Sequence, residues 1–379
     1  MILHLVPDEK FIDFAYDEFE KIVPGENRFL AISDQIGETF KYIKSEQIGK
    51  ISTEEANTKR FMDSLNEYEC VVLHMFSMHE RVKIRIVLEA QPGTKFVWLG
   101  WGGDFYHYIS GSHESLFLKK TRKLWKQKNQ KTRFKNLIKS LLGHKKNHLR
   151  AIERVRYFAP VIPTEYDLLK SVLPQLKAEF APFSYSNLDD MLRGLEHHKI
   201  ESQNILIGNS ASYENNHLEV FDLLEKLDIG KRKIIVPLSY GIPDYRDLVR
   251  RQGEQMFEEH FFPLIDFMPK DKYHETIASC SIVIMNHLRQ QAMGNIITMM
   301  YLGAKIFLNP KNPTFDFFKN EGAYVFSIEA LSSNLSGGFD LLSVEQIVEN
   351  RKILEKHWSA KAVEEKTRKL IAIVRGGQV

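Results

Sequence analysis

The residues best suited to chemistry lie in one short stretch, Asn286-His-Leu-Arg-Gln-Gln-Ala-Met-Gly-Asn295. Arg289 presents a planar fork of donors that matches phosphate oxygens. Asn286, Gln290, Gln291 and Asn295 add amide donors and acceptors of the kind that read sugar hydroxyls. The stretch follows Ser281-Ile-Val-Ile-Met285, an apolar run of strand length, and precedes Ile296-Ile-Thr-Met-Met-Tyr-Leu-Gly303, a helical pattern closed by glycine. Gly294 and Asn295 thus sit where a helix begins. Its free N–H groups and partial positive charge suit an anion there. The plainer alternative is a solvated polar connection.

A second stretch repeats the arrangement. Asn204-Ile-Leu-Ile207 reads as a strand, Gly208-Asn209-Ser210 as a turn, and Leu218 to Glu225 as an amphipathic helix. Gly208 lets the backbone approach a ligand closely. Ser212, Asn215 and Asn216 are candidate helix caps, and His217 can meet a phosphate or sit on the first helical turn. A third strand, Lys233 to Tyr240, brings Ser239 and Tyr240 to its end. Further upstream, Phe96-Val-Trp-Leu-Gly-Trp-Gly-Gly-Asp-Phe-Tyr106 places Asp104 at a strand end after Gly102 and Gly103. A carboxylate there can take the proton of an acceptor hydroxyl, or it can serve a turn. Trp101 and Tyr106 can stack on a sugar, while Trp98 reads as core. His74 and His79 flank another strand-end loop and read as structural histidines.

Elements of alternating type must position these groups. The order strand–helix–strand–helix–strand–loop–helix over residues 204–310 is that of a doubly wound α/β sheet, in which ligands bind at the carboxyl ends of strands. The chain has 379 residues, more than the roughly 250–300 that one core supports. We therefore expect an N-terminal domain over 1–190, a second over 200–343, and C-terminal helices over 344–379. Strands are expected at Ile2–Val6, Arg28–Ile32, Cys70–Met75, Phe96–Leu99 and 157–163. Residues 182–187 and 194–204 read as linker. Only Cys70 and Cys280 are present; both read as buried small apolar groups, and no signal-peptide pattern is visible, so a cytoplasmic setting is expected. No apolar run reaches the roughly 18 residues of a spanning helix.

Charge is uneven. Residues 115–152 carry 13 Lys or Arg and no acid, within a chain of 52 basic and 49 acidic residues, so the remainder is net acidic. Phe134, Leu137, Ile138, Leu141 and Leu142 recur at helical spacing within it, with Leu124 and Trp125 upstream. A basic helix with an apolar stripe suits an anionic lipid surface. The other reading is a solvated helix packed on the N-terminal domain. No nucleic-acid motif accompanies the charge, and none is expected as partner.

The segments 207–217, 235–240, 286–295 and 303–310 resemble the C-terminal half of glycosyltransferase family 56, and 96–106 is similar to its Trp-Gly-x-Asp-x-Tyr element. The resemblance spans most of residues 95–320. It implies a GT-B fold, two Rossmann-like domains facing a central cleft. It also implies transfer of a deoxy or amino-deoxy sugar such as 4-acetamido-4,6-dideoxygalactose (Fuc4NAc) from a TDP-type donor. The acceptor would be a polyprenyl-diphosphate-linked saccharide in bacterial surface polysaccharide synthesis, at the cytoplasmic face of the inner membrane. On this reading Asp104 and Arg289 carry catalysis. Gly208, Asn209, Ser210, Asn215, Asn216, His217, Ser239, Tyr240, Asn286, Gln290, Gln291, Gly294 and Asn295 hold the donor, and Trp101, Gly102, Gly103 and Tyr106 the acceptor. No Asp-x-Asp element lies in a suitable loop, so metal-independent chemistry without a cofactor is expected. A nucleotide-sugar epimerase and a non-catalytic scaffold are the alternatives.

Overall fold

The computed structural model describes residues 1–35, 37–129, 143–195, 198–200, 202–333 and 339–377. They form two compact units: one from Met1–Gly111, Lys131–Asn187 and Ala360–Val379, the other from Ser112–Gln130 and Leu188–Ser359.

The first unit is built on seven parallel strands: β1 (Ile2–Val6), β2 (Asn27–Ile32), β3 (Gly49–Ile51), β4 (Cys70–His74), β5 (Phe96–Leu99), β6 (Val155–Ala159) and β7 (Glu179–Phe180). Their order is β3-β2-β1-β4-β5-β6-β7. Every residue of β1, β4 and β5 is buried, as strands covered by helices on both faces must be. Ile12, Ala15 and Phe19 of the helix Ile12–Ile22 share a core with Leu370, Ile371 and Val374 of the last helix, Ala360–Arg375. That helix is held further by Lys95 Nζ donating to Val374 O at 2.8 Å.

The second unit has six parallel strands: β8 (Asn204–Ile207), β9 (Ile234–Pro237), β10 (Phe261–Leu264), β11 (Cys280–Met285), β12 (Lys305–Leu308) and β13 (Val325–Ser327), in the order β10-β9-β8-β11-β12-β13. The chain runs outward from β8 to β10, then crosses back to lay β11 on the other side of β8. Between β8 and β11 the winding reverses. Diverging loops at the carboxyl ends of such a pair leave a crevice for ligands. Pro263 lies in β10, an edge strand, where a missing N–H is tolerated.

The C-terminal helices are Val344–Trp358 and Ala360–Arg375. Val344–Trp358 starts with a capping box, Ser343 Oγ accepting from Gln346 N at 3.3 Å while Gln346 Oε1 accepts from Ser343 N at 3.0 Å. It ends at Ser359, where the chain leaves the second unit for the first.

The basic segment also divides. Its first part, the helix Lys119–Lys128, belongs to the second unit and not to the N-terminal domain where the sequence reading put it. The cause is polar: Thr121 N and Oγ1 bond Glu219 at 3.0 and 2.6 Å, Lys120 pairs with Asp222, and Leu118 N donates to Asn216 Oδ1 at 2.7 Å. The stripe positions Phe134, Leu137, Ile138, Leu141 and Leu142 lie outside the described residues.

Candidate active site

In the second unit both chemistry-bearing loops leave the sheet at its switch point, and side chains tie them together. Gly208 follows β8 with φ +64. A Cβ there would stand 2.5 Å from Asn215 Oδ1 and 2.9 Å from His217 Nε2, so only glycine fits. Asn215 does not cap the helix; it staples the turn. Its Oδ1 accepts from Asn209 N at 2.9 Å, and its Nδ2 donates to Ser210 O at 3.0 Å. Asn216 takes the left-handed conformation, φ +50, before the helix His217–Leu224. Its Nδ2 donates to Asn286 O at 3.0 Å. Ser212 caps the short turn Tyr213–Asn215 by accepting from Glu214 N at 3.3 Å.

The loop after β11 completes the set. His287 Nε2 meets Asn215 Oδ1 at 2.8 Å. Gln291 Nε2 donates to Asn209 Oδ1 at 3.0 Å, and Asn209 Nδ2 to the Tyr240 hydroxyl at 3.0 Å. Arg289 forks onto Glu214, Nε to Oε1 at 3.0 Å and an NH2 group to Oε2 at 2.9 Å. Asn309, after β12, donates to Asn286 Oδ1 at 2.8 Å. The helix Met293–Leu302 opens after Ala292 at φ +58, and a Cβ on Gly294 would meet nothing within 4 Å. Open space over the first turn of a helix, at the carboxyl edge of the sheet, is what a phosphate requires. Asn295 Nδ2 is turned to the Tyr273 hydroxyl at 2.9 Å. Gln290 is buried, Ser239 is half-buried, and the ring of Tyr240 is exposed beside its anchored hydroxyl.

Burial sets the charges here. It holds His217 and His287 neutral, with pKa values lowered to about 3. Burial alone would raise the Glu214 carboxyl; the hydrogen bond with His113 and the charge of Arg289 overcome it and keep the group well below the usual carboxylate range.

In the first unit the structure corrects the role read for Asp104. The side chain has no exposed surface. Its Oδ2 accepts from Trp98 Nε1 at 2.7 Å and Phe76 N at 3.1 Å, and its Oδ1 from Trp101 N at 3.0 Å. The left-handed Gly102, φ +86, curls the chain so that the carboxylate points back at the sheet. Burial pushes its pKa up to about 6 against the lowering effect of these bonds. The carboxylate braces the ends of β4 and β5 and is closed to an acceptor hydroxyl. Tyr106 is likewise buried, against Phe105, and reads as core. Trp101 remains half-buried, with Phe11 and Tyr185 at ring distances of 5.9 and 5.5 Å. A Cβ on Gly103 would meet nothing within 4 Å. His74 is buried between His4 Nδ1 at 3.0 Å and the Tyr185 hydroxyl at 2.9 Å, a structural role. Glu214, His287 and Asn309 escaped the sequence reading. All three stand inside the segments it quoted, and the signal lay in their placement at strand ends rather than in their type.

Two doubly wound parallel sheets, the second with joined polar loops at its switch point, define an α/β chain of the GT-B glycosyltransferase fold. Solved structures of that fold superpose over the full length. A crystal structure of a glycosyltransferase from Rickettsia africae ESF-5 matches with TM-score 0.66 at 12% identity, covering 100% of this chain and 99% of that one. Sucrose-phosphate synthase from Thermosynechococcus elongatus matches with TM-score 0.65 at 8% identity, covering 99% of each. "Trehalose-6-phosphate from E. coli bound with UDP-2-fluoro glucose" matches with TM-score 0.63 at 9% identity, also covering 99% of each. Residues 185–337 match the family described as 4-alpha-L-fucosyltransferase, glycosyl transferase group 56. The protein is a glycosyltransferase.

Proposed function

We propose that the enzyme moves a deoxy or amino-deoxy sugar of the Fuc4NAc type from a TDP-type donor to a polyprenyl-diphosphate-linked saccharide, at the cytoplasmic face of the inner membrane. The observation that carries the donor half is the pairing of the 208–217 and 286–295 loops across the β8–β11 switch point. The first turn of the helix Met293–Leu302 receives the diphosphate, Arg289 supplies positive charge near it, and Tyr240, Asn209 and Gln291 line its side. Fixed donors aimed at a leaving diphosphate stabilise charge as it develops, without reorganisation. The structure described as bound with UDP-2-fluoro glucose supports a nucleoside diphosphate sugar as the donor class. On the acceptor side, the half-buried Trp101 and the exposed Phe11 beside it offer ring faces to a saccharide.

A panel of TDP-, UDP- and GDP-sugars, assayed for donor cleavage and for transfer to a prenyl-linked saccharide, tests this. Transfer from a TDP-amino-deoxy sugar is the expected result. Release of free sugar without transfer would favour an epimerase, and no cleavage of any donor would favour a scaffold.

Membrane attachment rests on the cations of residues 115–152. Several are already engaged: Lys120 with Asp222, Lys126 with Glu114 at 3.5 Å, and Arg122 with the Glu114 and Phe117 carbonyls. Lys119, Lys123, Lys146 and Arg150 are exposed. Each can contribute up to about 1 kcal/mol at an anionic leaflet, screened by salt. Changing these four to Glu should abolish salt-sensitive co-sedimentation with anionic vesicles. Equal binding to neutral vesicles would remove the electrostatic anchor.

A further inference from the structure

We propose that Glu214 is a positioning residue of the donor site, acting through Arg289; this rests on the donor reading above. Glu214 stands on the short turn after β8, and Arg289 on the loop after β11. Their ion pair bridges the two loops at the switch point, with side chains only 13% and 12% exposed for Arg289 and Glu214. The contact is bidentate, at 3.0 and 2.9 Å, and fixes the plane of the guanidinium as well as its place. A third bond, from Arg289 NH1 to Gln290 O at 2.8 Å, fixes its rotation. Glu214 is itself held from two sides, by the Ser212 hydroxyl on Oε2 at 3.2 Å and by His113 Nε2 at 3.2 Å from Oε1. Its backbone carbonyl accepts from Asn216 Nδ2, which also grips Asn286 O on the other loop, each at 3.0 Å.

An arginine side chain has many rotamers, and fixing one costs entropy. Here that cost falls on folding, before any donor arrives. A guanidinium already in place binds an oxyanion more tightly and more selectively than one that must be collected from solvent. Glu214 touches no reacting atom on this account. Because its carboxyl is held well below the usual range, it stays ionised across about pH 5 to 8, where histidine titrates, and its effect is flat with pH there.

Calorimetry with TDP and with UDP on the full chain tests this. Glu214→Ala and Glu214→Gln should each weaken TDP by about ten-fold, the equivalent of one lost charge-assisted bond. Glu214→Asp, which keeps the carboxylate, should restore most of the affinity. The double variant Glu214→Ala, Arg289→Ala should bind no more weakly than Arg289→Ala alone, since Glu214 acts only through that side chain. A staple that merely held the fold would lower the melting temperature and weaken binding independently of Arg289. Where Glu214→Ala fails to fold, the isosteric Gln variant carries the test. Three results overturn the proposal: tighter TDP binding by the Gln variant, which would make the carboxylate a competitor of phosphate; multiplicative losses in the double variant; or no effect of Glu214 while Arg289→Ala weakens binding. If the unaltered chain binds neither TDP nor UDP, the donor reading itself falls and this one with it.

Discussion

Two glycines of the candidate donor site should respond to alanine with opposite signs. At Gly208 the backbone is left-handed, φ +64, which costs an L residue roughly 1–2 kcal/mol. The added methyl would lie 2.5 Å from Asn215 Oδ1 and 2.9 Å from His217 Nε2, so one of them must move. Asn215 Oδ1 holds the Asn209 N–H at 2.9 Å and meets His287 Nε2 at 2.8 Å. Displacing it leaves at least one buried donor unpaired, about 1–3 kcal/mol. Gly208→Ala should therefore lower the unfolding free energy by about 2–5 kcal/mol and remove TDP binding. Gly294 is the counterpart. Its Cβ would meet nothing within 4 Å, and it lies in the first turn of the helix Met293–Leu302. In a helix alanine is better than glycine by up to about 1 kcal/mol. Gly294→Ala should leave the fold as stable or slightly more so. If a diphosphate packs against that turn, the same methyl stands in its way and TDP affinity should fall at least ten-fold. Urea unfolding and calorimetry on both variants make the comparison. Unchanged TDP affinity in Gly294→Ala would show that the phosphate does not sit on this helix. A Gly208→Ala protein of unaltered stability would refute the packing argument.

Further outcomes follow from burial. Asp104→Asn keeps the shape of the side chain but offers one acceptor where three N–H groups point. Turnover should stay within a few-fold while stability suffers, and a hundred-fold loss of turnover with unaltered unfolding would restore Asp104 as a general base. The folded pKa of about 6 lies above the ordinary 3.8, so the wild-type carboxyl contributes stability that is full below pH 3.8 and lost as pH rises through 6. The penalty of the Asn variant should accordingly be largest near pH 4 and shrink towards pH 7. His4, His148, His217 and His287 have folded pKa values lowered to about 3 by burial. The unfolded chain binds more protons than the native one below about pH 6.5. Stability should fall on acidification from there by up to about 1.4 kcal/mol per pH unit for each histidine. Replacing His287 by Asn should flatten that slope in urea titrations at stepped pH, and an unchanged slope would mean the imidazole is not kept neutral.

Much of the fold was legible because parallel strands buried on both faces leave continuous apolar runs. Phe96–Leu99 reads directly, and Cys70–His74 and Cys280–Met285 nearly so. Elements that escaped have a physical reason. β3 and β7 span three and two residues at the sheet edge, too short to show a period. β10 contains Pro263, which argues against a strand unless the strand is known to be at an edge. The chain changes unit at Ser359, and because that residue is neither Gly nor Pro the sequence does not mark the point. The basic segment was misplaced because charge predicts solvent, not partners. Glu219 and Asp222 project from the helix His217–Leu224, and they draw the segment's first helix to the second unit.

The candidate site shows where residue type stops being informative. Asp104 and Glu214 are both carboxylates beside strand-end turns, both nearly or wholly buried, and both look equally able to serve as base, brace or partner. What separates them is which donors the fold places opposite. After β5, the left-handed Gly102 turns the chain back, and the donors within reach are N–H groups of the same sheet edge. They hold the carboxylate without neutralising it, so burial wins and the group titrates near pH 6. After β8, the turn ends in the left-handed Asn216, and the facing loop from β11 supplies a guanidinium. The hydrogen bond with His113 and this full opposite charge together outweigh burial, and the carboxyl stays ionised. The same chemical group is therefore a neutralisable brace in one unit and a fixed anion in the other. The difference originates in strand order: β11 must lie beside β8 for Arg289 to reach Glu214, and no local pattern in either segment encodes that adjacency.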